Sequence, residues 1–505
     1  MYTNIISGTT KGMEAALIYV EVDASFGLPV FDMVGNMSGE VKEARERVRI
    51  ALKNINMQIP NVRITVNLSP AQLKKEGTAF DLPIAIGVLA ASERIEAKLL
   101  KETLLIGELG LNGEVRGVPG VLPIVKHAME CGVKRVIVPE ENVKEGAFIQ
   151  GISVYGVSHI QEVIEILSGA GTHKPFELEL SDLFEEQYTE SKYDFKNVHG
   201  QRMARRAAEI SAAGFHHLLL MGPPGAGKTM IARRIPSIMP PLSMEECMEI
   251  SSIYSVAGKL NSNQSFITKR PFLYPHHTIS EQAMIGGGSI PRPGIVSLAH
   301  RAVLFLDEFP EFPRNVIEVL RQPMEDKVVQ IARSQAMYSY PADFVLVATA
   351  NPCPCGFYPD RNKCKCTEWD IQKYMNKLSG PILDRIDLCC EMSAINIEEL
   401  QSDIVEESSK SIRERVLKAL KIQRERYKDT NYRFNADILP QDMPKYCALE
   451  YGAQNTLARI YAKLKLSVRG YHKLLKVSRT IADLEQSELI LDKHIKEAAC
   501  YRFTM

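Results

Sequence analysis

A phosphate-binding loop is the residue pattern with the most definite chemistry in this sequence. Its members follow the pattern G-x-x-x-x-G-K-[ST]: Gly222, Pro223, Pro224, Gly225, Ala226, Gly227, Lys228 and Thr229. Glycines let successive backbone N–H groups point at anionic oxygens, while Lys228 can reach the β- and γ-phosphates and Thr229 can ligate Mg²⁺. The apolar run before the loop predicts a buried strand, and residues 230–234 predict the following helix. This order predicts a site for a nucleoside triphosphate such as ATP.

Two carboxylates follow a second apolar run, Val303–Leu306. Parallel sheets place functional side chains at the carboxyl ends of their strands, which is where Asp307 and Glu308 fall. We expect Asp307 to hold the Mg²⁺ shell and Glu308 to polarise the attacking water. A third apolar run ends at Asn351, which could orient that water from the opposite side. The alternative for Asn351 is an ordinary turn or cap residue.

Composition limits the class of protein. The 505 residues suffice for about three domains, and 45% hydrophobic with 24% charged residues is ordinary for a soluble globular chain. Because 61 basic residues balance 61 acidic ones, a nucleic-acid surface would have to be local. No apolar run approaches about 18 residues, and the first residues lack signal-peptide features. We therefore expect a cytoplasmic protein with no membrane partner.

Four of the ten cysteines lie in one short segment, as Cys353, Cys355, Cys364 and Cys366. Two close thiolate pairs across a turn-rich loop suit tetrahedral Zn²⁺, although the C-x-C spacing departs from the commoner C-x₂-C. Reduced thiols and a redox sensor are the alternatives. Since the segment directly follows Asn351, a metal there could couple the nucleotide state to an adjacent loop.

The patterns divide the chain into an N-terminal α+β domain (1–170), an exposed linker (171–192), an α/β phosphate-loop core (193–395) and an all-helical lid (396–505). In the first domain, strands are predicted at Ala16–Val22, Val62–Asn67 and Val133–Pro139, and helices at Gly39–Asn54 and Ile84–Ala91. Helical spacing in the last domain recurs at Ile397–Tyr427, Gln454–Leu464, Tyr471–Glu485 and Asp492–Tyr501.

The N-terminal domain resembles the proteolytic domain of Lon along residues 106–118 and 132–142. That fold normally uses a lysine to activate a serine nucleophile. In the stretch that matches the serine segment, Ile84 stands in the nucleophile's place, and Leu122 or a neighbouring apolar residue replaces the lysine. The resemblance implies a Lon-like scaffold without peptidase activity.

The core resembles ATPases of the AAA+ type. In these proteins a segment like 193–201 packs near the adenine. Arg385 resembles the finger that one subunit inserts into its neighbour's nucleotide site, which implies a ring. Its alternative is a surface arginine paired with Asp384 or Asp387. Arg469, in the first turn of a predicted helix, resembles the lid arginine that touches the γ-phosphate, with a solvated helix residue as the alternative.

Two insertions resemble those of the magnesium-chelatase and minichromosome-maintenance branch of AAA+ motors. Residues 275–294 contain a glycine run that predicts a loop, and residues 327–340 predict a two-stranded hairpin. In that branch the hairpin can grip DNA, so Arg333 near its turn is the candidate DNA contact. A solvated hairpin tip is the alternative, because one arginine without interleaved aromatic residues is a weak nucleic-acid signal.

Taken in order, these motifs resemble the bacterial YifB/ComM family of magnesium-chelatase-like ATPases over nearly the whole chain. The resemblance implies a homo-hexamer that hydrolyses ATP with Mg²⁺ and drives branch migration of recombination intermediates, notably during transformation. Its implied partner is single-stranded or branched DNA. One alternative is a chelatase-type motor that remodels a protein partner, against which the Lon-like domain counts. The other is an ATP-dependent protease, against which Ile84 counts.

Overall fold

The computed structural model describes residues 1–169, 173–179, 192–261, 264–333, 336–394 and 406–502. Most of the predicted linker and the predicted domain boundary at 395–396 lie outside these residues. The described part of the linker runs along the N-terminal domain, where the Phe176 N–H donates to the carbonyl of Val154 at 2.8 Å. No helix in the described residues is long and apolar enough to cross a membrane.

A mixed sheet with helices on it forms the N-terminal domain. Its strands and a small side hairpin are β1 (Tyr2–Lys11), β2 (Glu14–Ser25), β3 (Phe31–Val34), β4 (Arg63–Ser69), β5 (Thr103–Leu105), β6 (Glu108–Leu109), β7 (Val115–Arg116), β8 (Arg135–Pro139) and β9 (Ser153–Val157). The sheet order is β3-β4-β2-β1-β5-β8-β9, antiparallel from β4 to β1 and parallel from β1 to β9. The helices are α1 (Gly39–Asn54), α2 (Asp81–Ala91), α3 (Val121–Glu130), α4 (Val143–Ala147) and α5 (Ile160–Ser168).

The predicted elements of this domain are confirmed. Helix α1 has the predicted bounds, and Ile64, Val66 and Leu68 alternate inward along β4 as a half-buried strand requires. Helix α2 is buried on every side, because its sequence offers no polar face.

The central domain is built on a parallel sheet of strands β10 (Leu218–Met221), β11 (Phe272–Leu273), β14 (Val303–Leu306), β17 (Val345–Ala350) and β18 (Leu388–Glu391). Their order is β11-β14-β17-β10-β18. The strand that ends at Asn351 therefore lies between the phosphate-loop strand and the Asp307 strand. Side chains that follow these three strands meet at one edge of the sheet.

Two hairpins project from this core: β12 (Gly286–Gly287) with β13 (Arg292–Pro293), and β15 (Val328–Arg333) with β16 (Ala336–Pro341). The second was predicted, although its turn residues 334–335 lie outside the described residues. The glycine run of the first insertion was predicted as a loop. Residues 281–285 instead form a short helix, and the glycine run that follows enters the β12/β13 ladder, because Gly286 and Gly287 adopt positive φ angles that let the chain reverse.

Helices surround the central sheet and form the C-terminal domain. In the central domain they are α6 (Arg202–Gly214), α7 (Lys228–Ala232), α8 (Ile235–Ile238), α9 (Met244–Val256), α10 (Glu281–Ile285), α11 (Ile295–Leu298), α12 (Arg314–Val319), α13 (Arg321–Asp326), α14 (Glu368–Met375) and α15 (Gly380–Leu383). In the C-terminal domain they are α16 (Ser409–Arg426), α17 (Met443–Tyr446), α18 (Tyr451–Leu464), α19 (Val468–Leu484) and α20 (Asp492–Ala499). Single 3₁₀ turns occur at Ala97–Leu100, Glu140–Asn142, Phe195–Asn197, Phe309–Glu311, Asn435–Asp437 and Pro440–Asp442.

Helix α9 joins the central domain to the N-terminal domain. The Gly120 N–H donates to the carbonyl of Ser255 at 3.0 Å, and the Ser255 hydroxyl donates to the buried carboxylate of Glu145. Phe148 and Phe266 pack across the same boundary with ring centroids 4.6 Å apart. Burial raises the pKa of Glu145, and four hydrogen-bond donors partly offset that rise. The N-terminal domain is thus packed firmly onto the core.

Candidate nucleotide site

The phosphate-binding loop leaves β10 and enters α7 through two glycines in the left-handed region. Gly225 has φ +79° and Gly227 has φ +88°, angles that a side chain would strain. At Gly222 the constraint is space, since a Cβ built there would lie 2.5 Å from the carbonyl oxygen of Met392. Glycine is therefore required at Gly222 for lack of space, and at Gly225 and Gly227 because of their backbone conformation.

The Lys228 ammonium group is held within the loop. Its Nζ donates to the carbonyls of Gly222 and Pro223 at 2.6 and 3.0 Å and to Oδ1 of Asn351 at 3.0 Å. Burial lowers the pKa of Lys228, while the charges of Asp307 and Glu308 oppose that shift. The lysine, the two carboxylates and Asn351 therefore share one electrostatic site, as the sequence predicted.

Asp307 lies against the hydroxyl of Thr229. Thr229 Oγ1 donates to Asp307 Oδ2 at 3.0 Å, so the two expected Mg²⁺ ligands already converge. Tyr274 Oη donates to the same carboxylate oxygen at 3.1 Å. A hydroxyl and a carboxylate oxygen suit a magnesium ion that keeps several of its waters.

Thr349 ties the two acidic residues together and was missed by sequence reasoning. Its hydroxyl donates to Asp307 Oδ1 at 2.5 Å and accepts the Glu308 backbone N–H at 2.9 Å. Glu308 itself has φ +52°, a left-handed conformation that costs a non-glycine residue of order 1 kcal/mol. Thr349 and Tyr274 could be identified only once the neighbouring strands were known.

The segment that was expected near the adenine reaches the phosphate loop through Gln201. Its side-chain Nε2 donates to the carbonyl of Ala226 at 3.1 Å and to that of Ser393 at 2.7 Å. The Gly200 N–H donates to Glu406 at the start of the C-terminal domain. This segment therefore borders both the loop and the helical domain.

The two arginines assigned to the site lie at the opposite edge of the sheet from the phosphate loop of their own chain. Arg385 precedes β18, whose four residues run parallel to β10 and span roughly 13 Å. Arg385 forms an ion pair with Glu325, and Arg469 Nη2 lies 3.3 Å from the other oxygen of the same carboxylate. Arg469 is the second residue of α19, as predicted. The predicted alternative, pairing of Arg385 with Asp384 or Asp387, is absent among the described ion pairs.

Arg333 joins the two hairpins. Its Nη2 donates to the carbonyl of Gly288 at 2.9 Å, and Tyr340 Oη donates to the carbonyl of Pro291 at 2.6 Å. Arg333 is exposed, and so is Arg292 on the smaller hairpin, which the sequence did not single out. The hairpins together present two exposed guanidinium groups on one projection.

The four cysteines come together as predicted. Their sulfur atoms all lie within 4.8 Å of one another, with Cys353 and Cys364 buried and Cys355 and Cys366 partly exposed. The backbone N–H of Phe357 is the main cause that lowers the pKa of the Cys355 thiol to about 6. The cluster can hold a soft divalent metal.

Ile84 and Leu122, which the resemblance to Lon aligns with the serine and lysine positions, are both completely buried. Ile84 lies in helix α2, whose residues are all buried, and the Leu122 N–H donates to Glu145 at 2.9 Å. Neither position offers a nucleophile or a base.

Known proteins resemble this chain over nearly its full length. The family described as magnesium chelatase, subunit ChlI, matches residues 194–400, and its C-terminal part matches residues 406–502. The family described as subunit ChlI of Mg-chelatase matches residues 20–142.

The chain is 43% identical to the uncharacterized protein YifB of Escherichia coli K12, over 97% of this chain and 95% of that protein. It is 41% identical to the competence protein ComM of Haemophilus influenzae, over 99% and 97%. It is also 30% identical to Lon protease 2 of Bacillus subtilis, but only over 31% of this chain and 29% of that protein. With its phosphate loop, paired carboxylates and central parallel sheet, the chain belongs to the YifB/ComM family of magnesium-chelatase-like AAA+ ATPases.

Proposed function

We propose that this protein is an ATP-driven motor that acts on DNA as a homo-hexameric ring, as a helicase or in branch migration of recombination intermediates. The observation that carries the proposal is the division of the nucleotide site. Lys228, Thr229 and the two carboxylates gather at one edge of the sheet, and Arg385 with Arg469 gather at the other.

Hydrolysis follows from the groups at the first edge. Lys228 binds the β- and γ-phosphates, and Thr229 with Asp307 holds the magnesium ion that ATP brings. Glu308 accepts the hydrogen bond of the attacking water and raises its nucleophilicity, while Asn351 orients that water from the opposite side. Besides ATP and Mg²⁺, we propose Zn²⁺ at the four cysteines as a structural ion.

A ring would bring the two arginines to a nucleotide. Arg385 and Arg469 lie at the second edge of the sheet, the edge opposite the phosphate loop. Their guanidinium groups cannot reach the phosphate loop of their own chain, because the sheet lies between them. In a head-to-tail ring the second edge of one subunit faces the first edge of the next. Arg385 and Arg469 then stabilise the charge that spreads over the γ-phosphate oxygens during transfer.

DNA binding is supported by the two hairpins and by a relative's name. Arg333 and Arg292 are exposed on neighbouring hairpins, where they can contact phosphates in a pore. The 41% identity to ComM, a protein named for competence, supports a role of that kind for this chain. A balanced overall charge agrees with a DNA surface confined to such a pore.

Steady-state ATP hydrolysis with and without single-stranded, duplex and branched DNA at low salt tests the proposal. We expect DNA to stimulate hydrolysis and Glu308→Gln to abolish it while ATP still binds. Robust hydrolysis that no DNA changes would overturn the DNA part. A response only to a protein partner would favour the chelatase-type motor, which the family descriptions keep as the second candidate.

A further inference from the structure

The loop that carries the four cysteines touches the phosphate-binding loop. Gly356 lies between the two cysteine pairs with φ +85°, and a Cβ built on it would be 2.5 Å from Cδ and 2.7 Å from Cγ of Pro224. The backbone of one loop therefore packs directly on the proline ring of the other. Both the positive φ and the close approach require glycine at this position.

The same segment continues from the residue that holds Lys228. Asn351 accepts a hydrogen bond from Lys228 Nζ at 3.0 Å, and Cys353 follows two residues later. The Cys353 side chain is completely buried. The cysteine loop is thus anchored beside the nucleotide site at two points, Asn351 and Gly356.

The sulfur positions fit a single tetrahedral ion. With Zn–S bonds of about 2.3 Å, tetrahedral geometry puts neighbouring sulfurs about 3.8 Å apart. Cys364 Sγ lies 3.7 Å from Cys353 Sγ and 3.6 Å from Cys355 Sγ, and the Cys353–Cys355 separation is 3.3 Å. All four residues are free cysteines. Four thiolates favour zinc over the oxygen-preferring cations magnesium and calcium.

Backbone groups also suit thiolate ligands here. The Tyr358 N–H donates to Cys353 Sγ at 3.4 Å, which stabilises negative charge on that sulfur. Arg361 donates to the carbonyl of Cys366 at 2.9 Å, and its guanidinium is also ion-paired with Glu368. The Tyr358 N–H therefore offsets part of the net negative charge of a zinc tetrathiolate.

We propose that Zn²⁺ bound by Cys353, Cys355, Cys364 and Cys366 fixes this loop against Pro224, so that nucleotide affinity depends on the bound metal. This inference rests on the nucleotide site of the proposed function. Without the ion the two cysteine pairs are no longer joined, and Gly356 loses its fixed position against the phosphate loop. Nucleotide binding then weakens although Lys228 and the sheet are unchanged.

The first test is the metal content of the purified full-length protein, measured by elemental mass spectrometry. We expect about one zinc per chain in the wild type and in the control Cys131→Ser/Cys500→Ser, because those exposed cysteines lie outside the cluster. Cys364→Ser/Cys366→Ser should lose the metal. A wild-type protein without zinc, or a cluster in which the cysteines are disulfide-bonded, would overturn the proposal.

The second test measures the affinity for a fluorescent ADP analogue in the wild type, in protein stripped with a chelator, and in stripped protein reloaded with zinc. We expect stripping to weaken binding about tenfold, a change of about 1.4 kcal/mol, and reloading to restore it. Reversal by zinc separates the effect from irreversible unfolding. Unchanged affinity after stripping would contradict the coupling.

The contact itself is tested with Gly356→Ala, which should retain zinc but bind the analogue more weakly because the new Cβ displaces Pro224. Gly132→Ala is the matched control, since Gly132 has a φ of +84°, close to that of Gly356, and a Cβ there meets no atom within 4 Å. If zinc-loaded Gly356→Ala bound the analogue as tightly as the wild type, the contact between Gly356 and Pro224 would not be what couples the metal to nucleotide binding. If the wild type and Lys228→Ala bind the analogue equally poorly, the proposed nucleotide site itself fails, which is a distinct outcome.

Discussion

At the scale of single residues, Thr349 links the two carboxylates of the nucleotide site to the central strand. Its hydroxyl contacts both the Asp307 side chain and the Glu308 backbone, and it is completely buried. Glu308 has a left-handed backbone conformation, which needs such support from its surroundings. Thr349 is a positioning residue that acts through Asp307 and Glu308.

Thr349→Val should lower kcat for ATP hydrolysis by roughly tenfold, because a misplaced Glu308 raises the barrier by about 1.4 kcal/mol. The change keeps the side-chain volume but leaves the Glu308 N–H without its acceptor. We expect the KM for ATP to change little, since Lys228 and the loop amides remain. Thr349→Ser, which keeps the hydroxyl, should restore most of the rate.

Steady-state kinetics of both variants test the predicted loss of kcat. Thermal unfolding of the same variants shows whether the change also destabilises the fold. An equal loss in the valine and serine variants would mean that packing, rather than the hydroxyl, matters at this position.

The sequence alone identified the site residues that a short contiguous pattern marks. The phosphate loop is a contiguous pattern, and Asp307, Glu308 and Asn351 each end an apolar run, so their common edge follows from a parallel sheet. Thr349 and Tyr274 contact Asp307 from other strands. Their roles depend on strand order, which no local pattern contains.

At the scale of elements, the two hairpins form one projection whose parts support each other. The Arg333 guanidinium bonds to Gly288 at the turn of the smaller hairpin, and the buried Tyr340 bonds to Pro291. A Cβ built on Gly12, in the turn between the first two strands, would lie 3.6 Å from Tyr338 on the larger hairpin. The N-terminal domain thus contacts the proposed DNA-binding element.

Arg333→Ala should weaken DNA binding severalfold at low salt, because one phosphate contact is lost. The slope of log affinity against log salt should become shallower by about 0.9 for duplex DNA, the contribution of one phosphate. Fluorescence anisotropy over a salt series measures both quantities.

Arg459→Ala is the control for this prediction, because Arg459 is exposed on helix α18 of the C-terminal domain, distant in sequence from the hairpins. Equal salt slopes for wild type and Arg333→Ala would exclude Arg333 as a phosphate contact.

Helices and strands with clear periodicity were predictable, whereas their breaks were less so. Helix α1 was predicted residue for residue from its spacing. The helix after the phosphate loop is divided into α7 and α8 before Pro236, since proline lacks an N–H and would collide with the carbonyl of Ala232 in an unbroken helix. The docking of α9 onto the N-terminal domain could not be predicted, because it depends on contacts between distant segments.

At the scale of the whole molecule, Arg385 and Arg469 lie at the opposite edge of the central sheet from the phosphate loop of the same chain. Glu325 binds both Arg385 and Arg469 at the second edge of the sheet. A complete site in our proposal therefore needs two subunits. Mixing differently damaged subunits tests this requirement.

Lys228→Ala and Arg385→Ala should each be nearly inactive alone, but an equal mixture should recover about a quarter of the sites, because random assembly pairs the intact halves that often. Mixing Lys228→Ala with Glu308→Gln should recover nothing, since both changes damage the same half. ATP hydrolysis after subunit exchange measures the recovery. No recovery in the first mixture would mean that Arg385 does not act on a neighbouring subunit.

The most direct measurement of the central claim is ATP-dependent strand displacement on a fluorescent branched DNA with the wild type and Glu308→Gln. We expect both proteins to bind the DNA with ATP and only the wild type to displace strands. If the wild type hydrolyses ATP and binds DNA but never displaces a strand, or if Glu308→Gln displaces strands equally well, the DNA-motor function proposed here is contradicted.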